Sequence, residues 1–172
     1  MIGEINTARL WLRPITSADV DLLVELNSDR EVMQFISGQP SAREEVEIEL
    51  EDSLGARWLV FDDAGTFLGW VGAVRVADGS EYDIGWRFRR ACWGKGFATE
   101  AALALVAALF STGVKRVFAQ TMAVNERSRS VMERLGLQYA RTFHLEFDDP
   151  LPGTELGEVE YELTRETWEG RA

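Results

Sequence analysis

Trp93-Gly94-Lys95-Gly96-Phe97-Ala98-Thr99-Glu100 is the stretch that decides how the rest of this chain is read. It follows a strand expected over Glu81–Phe88 and opens an apolar helix expected to reach about Thr112. Two glycines one residue apart let the backbone approach a ligand closely, with no Cβ in the way. A helix beginning directly afterwards aims its free N–H groups and positive dipole end at the same point. That geometry is an anion site, suited to a phosphate or pyrophosphate. Arg87, Arg89, Arg90 and Lys95 crowd the same segment. The competing reading is a strand-to-helix turn whose glycines serve tight packing alone.

Three phosphate-loop families compete for this stretch. The dinucleotide fingerprint needs a third small residue where Thr99 stands and an acidic residue about twenty positions further on. That region reads Phe118-Ala119-Gln120-Thr121, without a carboxylate. A Walker A loop needs Gly-Lys-Ser/Thr, and Gly94-Lys95 is followed by Gly96. The third is the acetyl-CoA pyrophosphate loop of the GNAT N-acetyltransferases, Arg/Gln-x-x-Gly-x-Gly/Ala. The run Trp93 to Ala101 resembles it, with Gly94 and Gly96 in the glycine positions. The first position is Ala91, so the side-chain contribution made there in the family is missing, while the backbone cradle does not depend on it.

The chain has 172 residues, 46% of them apolar, with six tryptophans, which suits a single globular domain over 1–172. No apolar run approaches the length of a membrane span, and the opening Met1-Ile2-Gly3-Glu4-Ile5 lacks a signal-peptide pattern, so a cytoplasmic location is expected. The lone cysteine, Cys92, fits a reducing compartment and reads as a packed thiol, the lone histidine, His144, being far away in sequence. One Cys and one His cannot supply an ordinary zinc cage, so no metal is expected. A net charge of −11 argues against nucleic-acid binding. The acidic surface suits steering of a cationic amine, with simple solubility as the equal alternative.

Around the loop the pattern is that of one mixed α/β domain. Thr7–Arg13 alternates as an opening strand ending at Pro14, and Thr16-Ser17-Ala18-Asp19 starts a helix. Ser41 with Glu44 forms a capping box for a second helix reaching about Leu54, whose glutamates read as a solvated face. Arg57–Asp62 and Thr66–Val76 form a hairpin, and Ala77-Asp78-Gly79-Ser80 turns into the strand before the loop. There Tyr82, Ile84, Trp86 and Phe88 share one face, and Glu81, Asp83, Gly85 and Arg87 the other. Beyond the central helix, Lys115–Ala123 reads as a strand, Ser128–Leu135 as a short helix, Gln138–Phe147 as a weak strand and Glu158–Leu163 as a last strand.

A second constellation, Asn125-Glu126-Arg127-Ser128 through Glu133-Arg134-Leu135-Gly136-Leu137, resembles the Asn-x-x-Ser...Glu-Lys-x-Gly-Phe segment of the RimJ/RimL-like GNAT branch. Arg9-Leu10-Trp11-Leu12-Arg13-Pro14 resembles that branch's opening strand. Asp83-Ile84-Gly85-Trp86 is similar to its Glu-Ile-Gly-Tyr, and Glu160 through Trp168 to its closing strand. These ordered segments cover nearly the whole chain. The fold so implied is the GNAT α/β sandwich: a mixed, mostly antiparallel sheet with helices on both faces. In it the strand before the loop and Lys115–Ala123 run parallel and splay apart to admit the pantetheine arm.

The activity implied is acetyl transfer from acetyl-CoA to a primary amine, on a protein N-terminus or a small molecule, by direct attack. The resemblance assigns coenzyme binding to Ile84, Trp86, Phe88, Arg89, Gly94, Lys95, Gly96, Phe97, Ala98, Thr99, Asn125 and Ser128. Many relatives carry a tyrosine acid seven residues after the asparagine; here that position is Met132. Ser128 matches the hydroxyl proposed for the branch, with an ordinary helix-start serine as the alternative. Asp83 matches the branch's strand glutamate and is the first candidate for general base; Glu81 is a second, and a salt bridge to Arg87 is the structural alternative. His144 is the runner-up, set against an ordinary hydrogen-bonded histidine. A homodimer is a family expectation. The rival reading, kept open by Met132, is a catalytically silent acyl-CoA-binding regulator.

Overall fold

The computed structural model describes residues 1–76 and 78–171. The opening alternation produces β2 (Leu10–Pro14), which buries Leu10 and Leu12, and a two-residue β1 (Ile5–Asn6) pairs against it. Then come α1 (Val20–Asn27), α2 (Arg43–Ser53), β3 (Arg57–Asp62), β4 (Phe67–Val76) and β5 (Glu81–Phe88). The second half holds α3 (Phe97–Ser111), β6 (Arg116–Met122), α4 (Glu126–Arg134), β7 (Gln138–Phe143), β8 (Glu158–Thr164) and α5 (Arg165–Glu169). The strands form one eight-stranded sheet in the order β1-β2-β3-β4-β5-β6-β8-β7. It is mixed and mostly antiparallel, β5 and β6 forming the parallel pair.

Two compact units divide the chain: Met1–Gly72 with Trp86–Leu105, and Ala73–Gly85 with Val106–Ala172. In the first, Leu59, Phe61, Phe67 and Trp70 pack with Leu23 and Leu26 of α1 and Val46 and Leu50 of α2. In the second, buried Val117 and Ala119 of β6, Tyr161 and Leu163 of β8, and Val131 and Met132 of α4 form the core. Here the β5–β6 register runs only from Glu81–Arg116 to Asp83–Phe118, although both strands continue. The two strands therefore stop pairing just after Asp83.

Three expectations change. The Ser41–Glu44 capping box does not form: Ser41 N–H donates to the Asn27 carbonyl, tying it to the end of α1, the N-cap is Ala42, and Glu45 alone reaches back to the Ala42 N–H at 2.9 Å. The 138–147 strand ends at Phe143, because Leu145 and Phe147 are exposed and find no apolar face to pair on. Beyond Leu163 the chain forms the short helix α5, capped by the Thr164 side chain accepting from Thr167 N–H at 3.2 Å. In the expected 77–80 turn, Asp78 accepts from Ser80 N–H and Gly79 takes φ 86°, while Ala77 lies outside the described residues.

Candidate active site

In the first unit, the glycine loop takes the backbone form its residues permit. Gly94 and Gly96 have φ of 74° and 78°, in the left-handed region that other residues enter only under strain. A Cβ on Gly94 would meet nothing within 4 Å, so the backbone there faces open space. Arg90–Cys92 make a 3-10 turn, and α3 starts at Phe97, its first turn closed by Glu100 N–H donating to the Gly96 carbonyl at 3.0 Å. The first N–H groups of α3 have no intrahelical acceptor. The buried Thr99 Oγ1 also lacks a partner among the described residues. Unfilled donors, a positive helix end and an unobstructed glycine backbone fit a phosphate.

The cations around the loop prove to be mostly spoken for, which modifies the basic patch expected from the sequence. Arg87 Nη1 donates to Asn27 Oδ1 at 2.8 Å and to Glu49 Oε1 at 2.9 Å. Arg89 pairs with Glu25 and donates to the Phe67 carbonyl at 3.1 Å. Arg90 pairs with Glu31 at 2.9 Å and Asp29 at 3.5 Å. Lys95 is exposed and forms no ion pair among the described residues. The groups left unpaired at the loop are thus backbone N–H groups more than arginines. Ile84 and Phe88 are buried, while Trp86, Phe97 and Ala98 are half-buried. Cys92 is buried and burial pushes its thiol up, as for a packed thiol.

In the second unit, Asp83 stands half-buried on β5, and its carboxylate makes no hydrogen bond among the described residues. Burial, reinforced by the negative charge of Glu160, raises its carboxyl to about 6. The cations nearby are taken by other carboxylates. Arg116 donates to Glu162 at 2.6 Å, Glu160 at 2.9 Å and Glu81 at 3.0 Å. Glu160, 6% exposed, also accepts from Gln120 at 2.6 Å and Arg141 at 3.2 Å. Burial raises Glu160, but these donors outweigh it and leave it ionised below its ordinary value. The salt bridge between Asp83 and Arg87 is not formed, since Arg87 pairs with Glu49.

Asn125 caps α4: its Oδ1 accepts from Ser128 N–H at 3.3 Å and its Nδ2 donates to Thr121 Oγ1 at 3.1 Å. The Ser128 backbone is thus the capped group, and its half-buried hydroxyl has no partner among the described residues. Met132 is buried, at 1% exposed, and acts as core. His144 lies beyond the end of β7, exposed, with Nε2 3.2 Å from the Glu155 carbonyl. Sequence reasoning missed Glu160, Gln120, Arg116 and Arg141. The available signal was the alternation of Glu158, Glu160 and Glu162, which puts carboxylates on one face of a strand.

Among the described residues no group of His, Cys, Asp and Glu is placed to hold a metal, and no helix is long and apolar enough to cross a membrane. The profile of the acetyltransferase (GNAT) domain matches residues 9–138. The FsC-acetyl coenzyme A-N(2)-transacetylase of Aspergillus fumigatus is 34% identical, the match covering 95% of this chain and 77% of that one. Among solved structures, a GNAT-family acetyltransferase from Bacillus anthracis superposes with TM-score 0.80 at 24% identity, covering 95% of this chain and 99% of the other. RimL, a ribosomal L7/L12 alpha-N-protein acetyltransferase crystallised with coenzyme A, gives 0.80 at 17% identity, covering 95% and 99%. The chain belongs to the GNAT acetyltransferase family and is an acetyl-CoA-dependent N-acetyltransferase.

Proposed function

We propose that the chain acetylates the primary amine of a small molecule, with Asp83 as general base and the Gly94–Gly96 loop as the coenzyme's phosphate cradle. The observation that carries the base assignment is a carboxyl near 6 with no cation of its own. The N(2) acceptor in the name of the A. fumigatus relative supports a small-molecule amine over a protein N-terminus. The ordered segments similar to the RimJ/RimL-like branch support placing the chain there. Both compact units belong to one catalytic domain in this reading, and the span of the family match, 9–138, supports that.

When bound, acetyl-CoA supplies an acetyl group activated as a thioester. Gly94, Gly96 and the first turn of α3 hold its phosphates through backbone N–H groups, with the Thr99 hydroxyl as a further donor. Ile84 and Gly85 lie beyond the last β5–β6 register pair, so β5 backbone N–H groups there serve the developing oxyanion. Asp83 takes the proton from the amine nitrogen as its lone pair forms the C–N bond and the C–S bond breaks. The Ser128 hydroxyl passes a proton to the departing sulfur and is replenished from water. A carboxylate near 6 is ionised at neutral pH yet basic enough to accept that proton. His144, exposed and bonded to the Glu155 carbonyl, has no part in this scheme.

Calorimetric titration with acetyl-CoA, with NAD as control, tests the cradle. Saturable binding of acetyl-CoA alone is expected, and Gly96→Val should weaken it by about 100-fold or more, since a Cβ at this φ strains the backbone that holds the phosphate. Unchanged affinity in that variant would return the glycines to a packing role. Thiol release on a panel of amines then separates turnover from the silent regulator, which binds coenzyme without acetylating anything.

A further inference from the structure

One side chain ties the opening strand of the first unit to the glycine loop. Arg9 stands immediately before β2, and its guanidinium is engaged on several sides. Nε donates to Glu100 Oε2 at 2.6 Å, and Nη1 donates to the Lys95 carbonyl at 2.9 Å. Its Cζ lies 4.5 Å from the centroid of the Phe97 ring. The other Glu100 oxygen accepts from Thr7 Oγ1 at 2.7 Å and from the Arg9 backbone N–H at 2.9 Å. Burial raises the Glu100 carboxyl, but the hydrogen bonds from Thr7 and Arg9 outweigh it and hold it below its ordinary value. Glu100 is therefore ionised, in the first turn of α3.

That charge sits where a bound phosphate would have to come. An acidic side chain at a helix N-terminus satisfies the dipole by itself, and beside a phosphate it repels. The Arg9 ion pair cancels it. The same guanidinium fixes the peptide carbonyl of Lys95, the residue between the two left-handed glycines. Its third nitrogen, Nη2, makes no hydrogen bond among the described residues and lies 3.4 Å from where a Cβ on Gly96 would stand. Ala91, where relatives carry Arg or Gln, brings no charge to the loop.

We propose that Arg9 is a positioning residue for the coenzyme's phosphates: it neutralises Glu100 at the start of α3 and clamps the Lys95 peptide of the glycine loop. The proposal rests on the phosphate-cradle reading of that loop. A merely structural ion pair predicts that removing either partner has the same consequence. The positioning role predicts opposite signs, because a lone Glu100 repels the phosphate and a lone Arg9 attracts it.

The test is calorimetric affinity for coenzyme A in the wild type, Arg9→Gln, Glu100→Gln and the double variant, with thermal midpoints recorded alongside. Arg9→Gln should weaken binding by about 10-fold at low salt, and the double variant should return to within about 3-fold of wild type. Glu100→Gln alone should bind equally well or more tightly. With S-acetylpantetheine, an acyl donor without phosphates, Arg9→Gln should turn over as the wild type does. Arg9→Lys, which keeps the charge without the fork, should fall between wild type and Arg9→Gln and serves if Arg9→Gln does not fold. Equal affinity in Arg9→Gln, or a double variant as weak as that single one, would overturn the proposal. A wild type that binds no coenzyme A would instead overturn the cradle reading beneath it.

Discussion

Each of the two compact units contains a polar network, and the two are built with opposite excess. In the first, two guanidiniums converge on one carboxylate: Glu49 Oε1 accepts from Arg57 at 2.7 Å and Arg87 at 2.9 Å, and Oε2 accepts from the fully buried Asn27 at 2.9 Å. In the second, two guanidiniums face four carboxylates: Arg116 serves Glu81, Glu160 and Glu162, Arg141 also pairs with Glu160, and Asp83 is left without a cation. Burial raises both carboxyls. At Glu49 the charges of Arg87 and Arg57 outweigh it and the group stays ionised below its ordinary value. At Asp83 the neighbouring charge is negative and adds to burial. A carboxylate in cationic excess is locked as a structural anion. One in anionic excess keeps affinity for a proton, which a general base must have.

The largest way to break this comparison is Asp83→Asn. It should lower kcat/KM by about 100-fold to 10,000-fold while leaving the affinity for coenzyme A intact, as expected for loss of a general base. Steady-state kinetics paired with calorimetry check it, and retained activity would move the base elsewhere, with His144→Gln the next variant to assay. Glu49→Gln should act on the fold instead. It leaves two partly buried guanidiniums short of a counter-charge, a loss of about 2 kcal/mol after allowing for the partial exposure of the group. Chemical denaturation measures that loss, and the acid limb of the rate profile should not move.

The two carboxyls also predict opposite pH dependences of stability. The folded-state value of Glu49 is below its unfolded value, so its contribution is present above about 4.5 and is lost as pH falls. Asp83 is raised from 3.8 to about 6, so stability is lost as pH rises from the lower value through the higher. Asp83→Asn should therefore be more stable than wild type above pH 6, by about 1 kcal/mol once solvent screening is allowed for, and the gain should vanish near pH 4. Denaturation at these pH values compares the two proteins. The smallest effect expected is from Glu160→Gln. Removing that negative charge should shift the acid limb of kcat/KM downward from about 6, by less than burial raises it.

How far the sequence anticipated this depended on how local each feature is. β5 occupies Glu81–Phe88 as its alternation requires, and the glycine loop and α3 follow it, because turn chemistry and period act over a few residues. The ion pairs were not legible, since Arg89 meets Glu25 across 64 positions and Arg116 meets Glu160 across 44. The alternation of glutamates on β8 was visible. Its meaning required knowing that β8 inserts between β6 and β7, which nothing in local periodicity reveals. The strand beginning at Gln138 read too long for a related reason: alternation at Leu145 and Phe147 persists past Phe143, where no partner strand continues.

The most direct measurement of the central claim is titration of the side-chain carboxyls by carbon-13 NMR in the free enzyme. Asp83 should titrate near 6 and Glu49 below 4.5, the two separated by the sign of the charge around each. An Asp83 that titrates near the ordinary aspartate value, about 3.9, would contradict it and remove the physical basis for naming that residue the base.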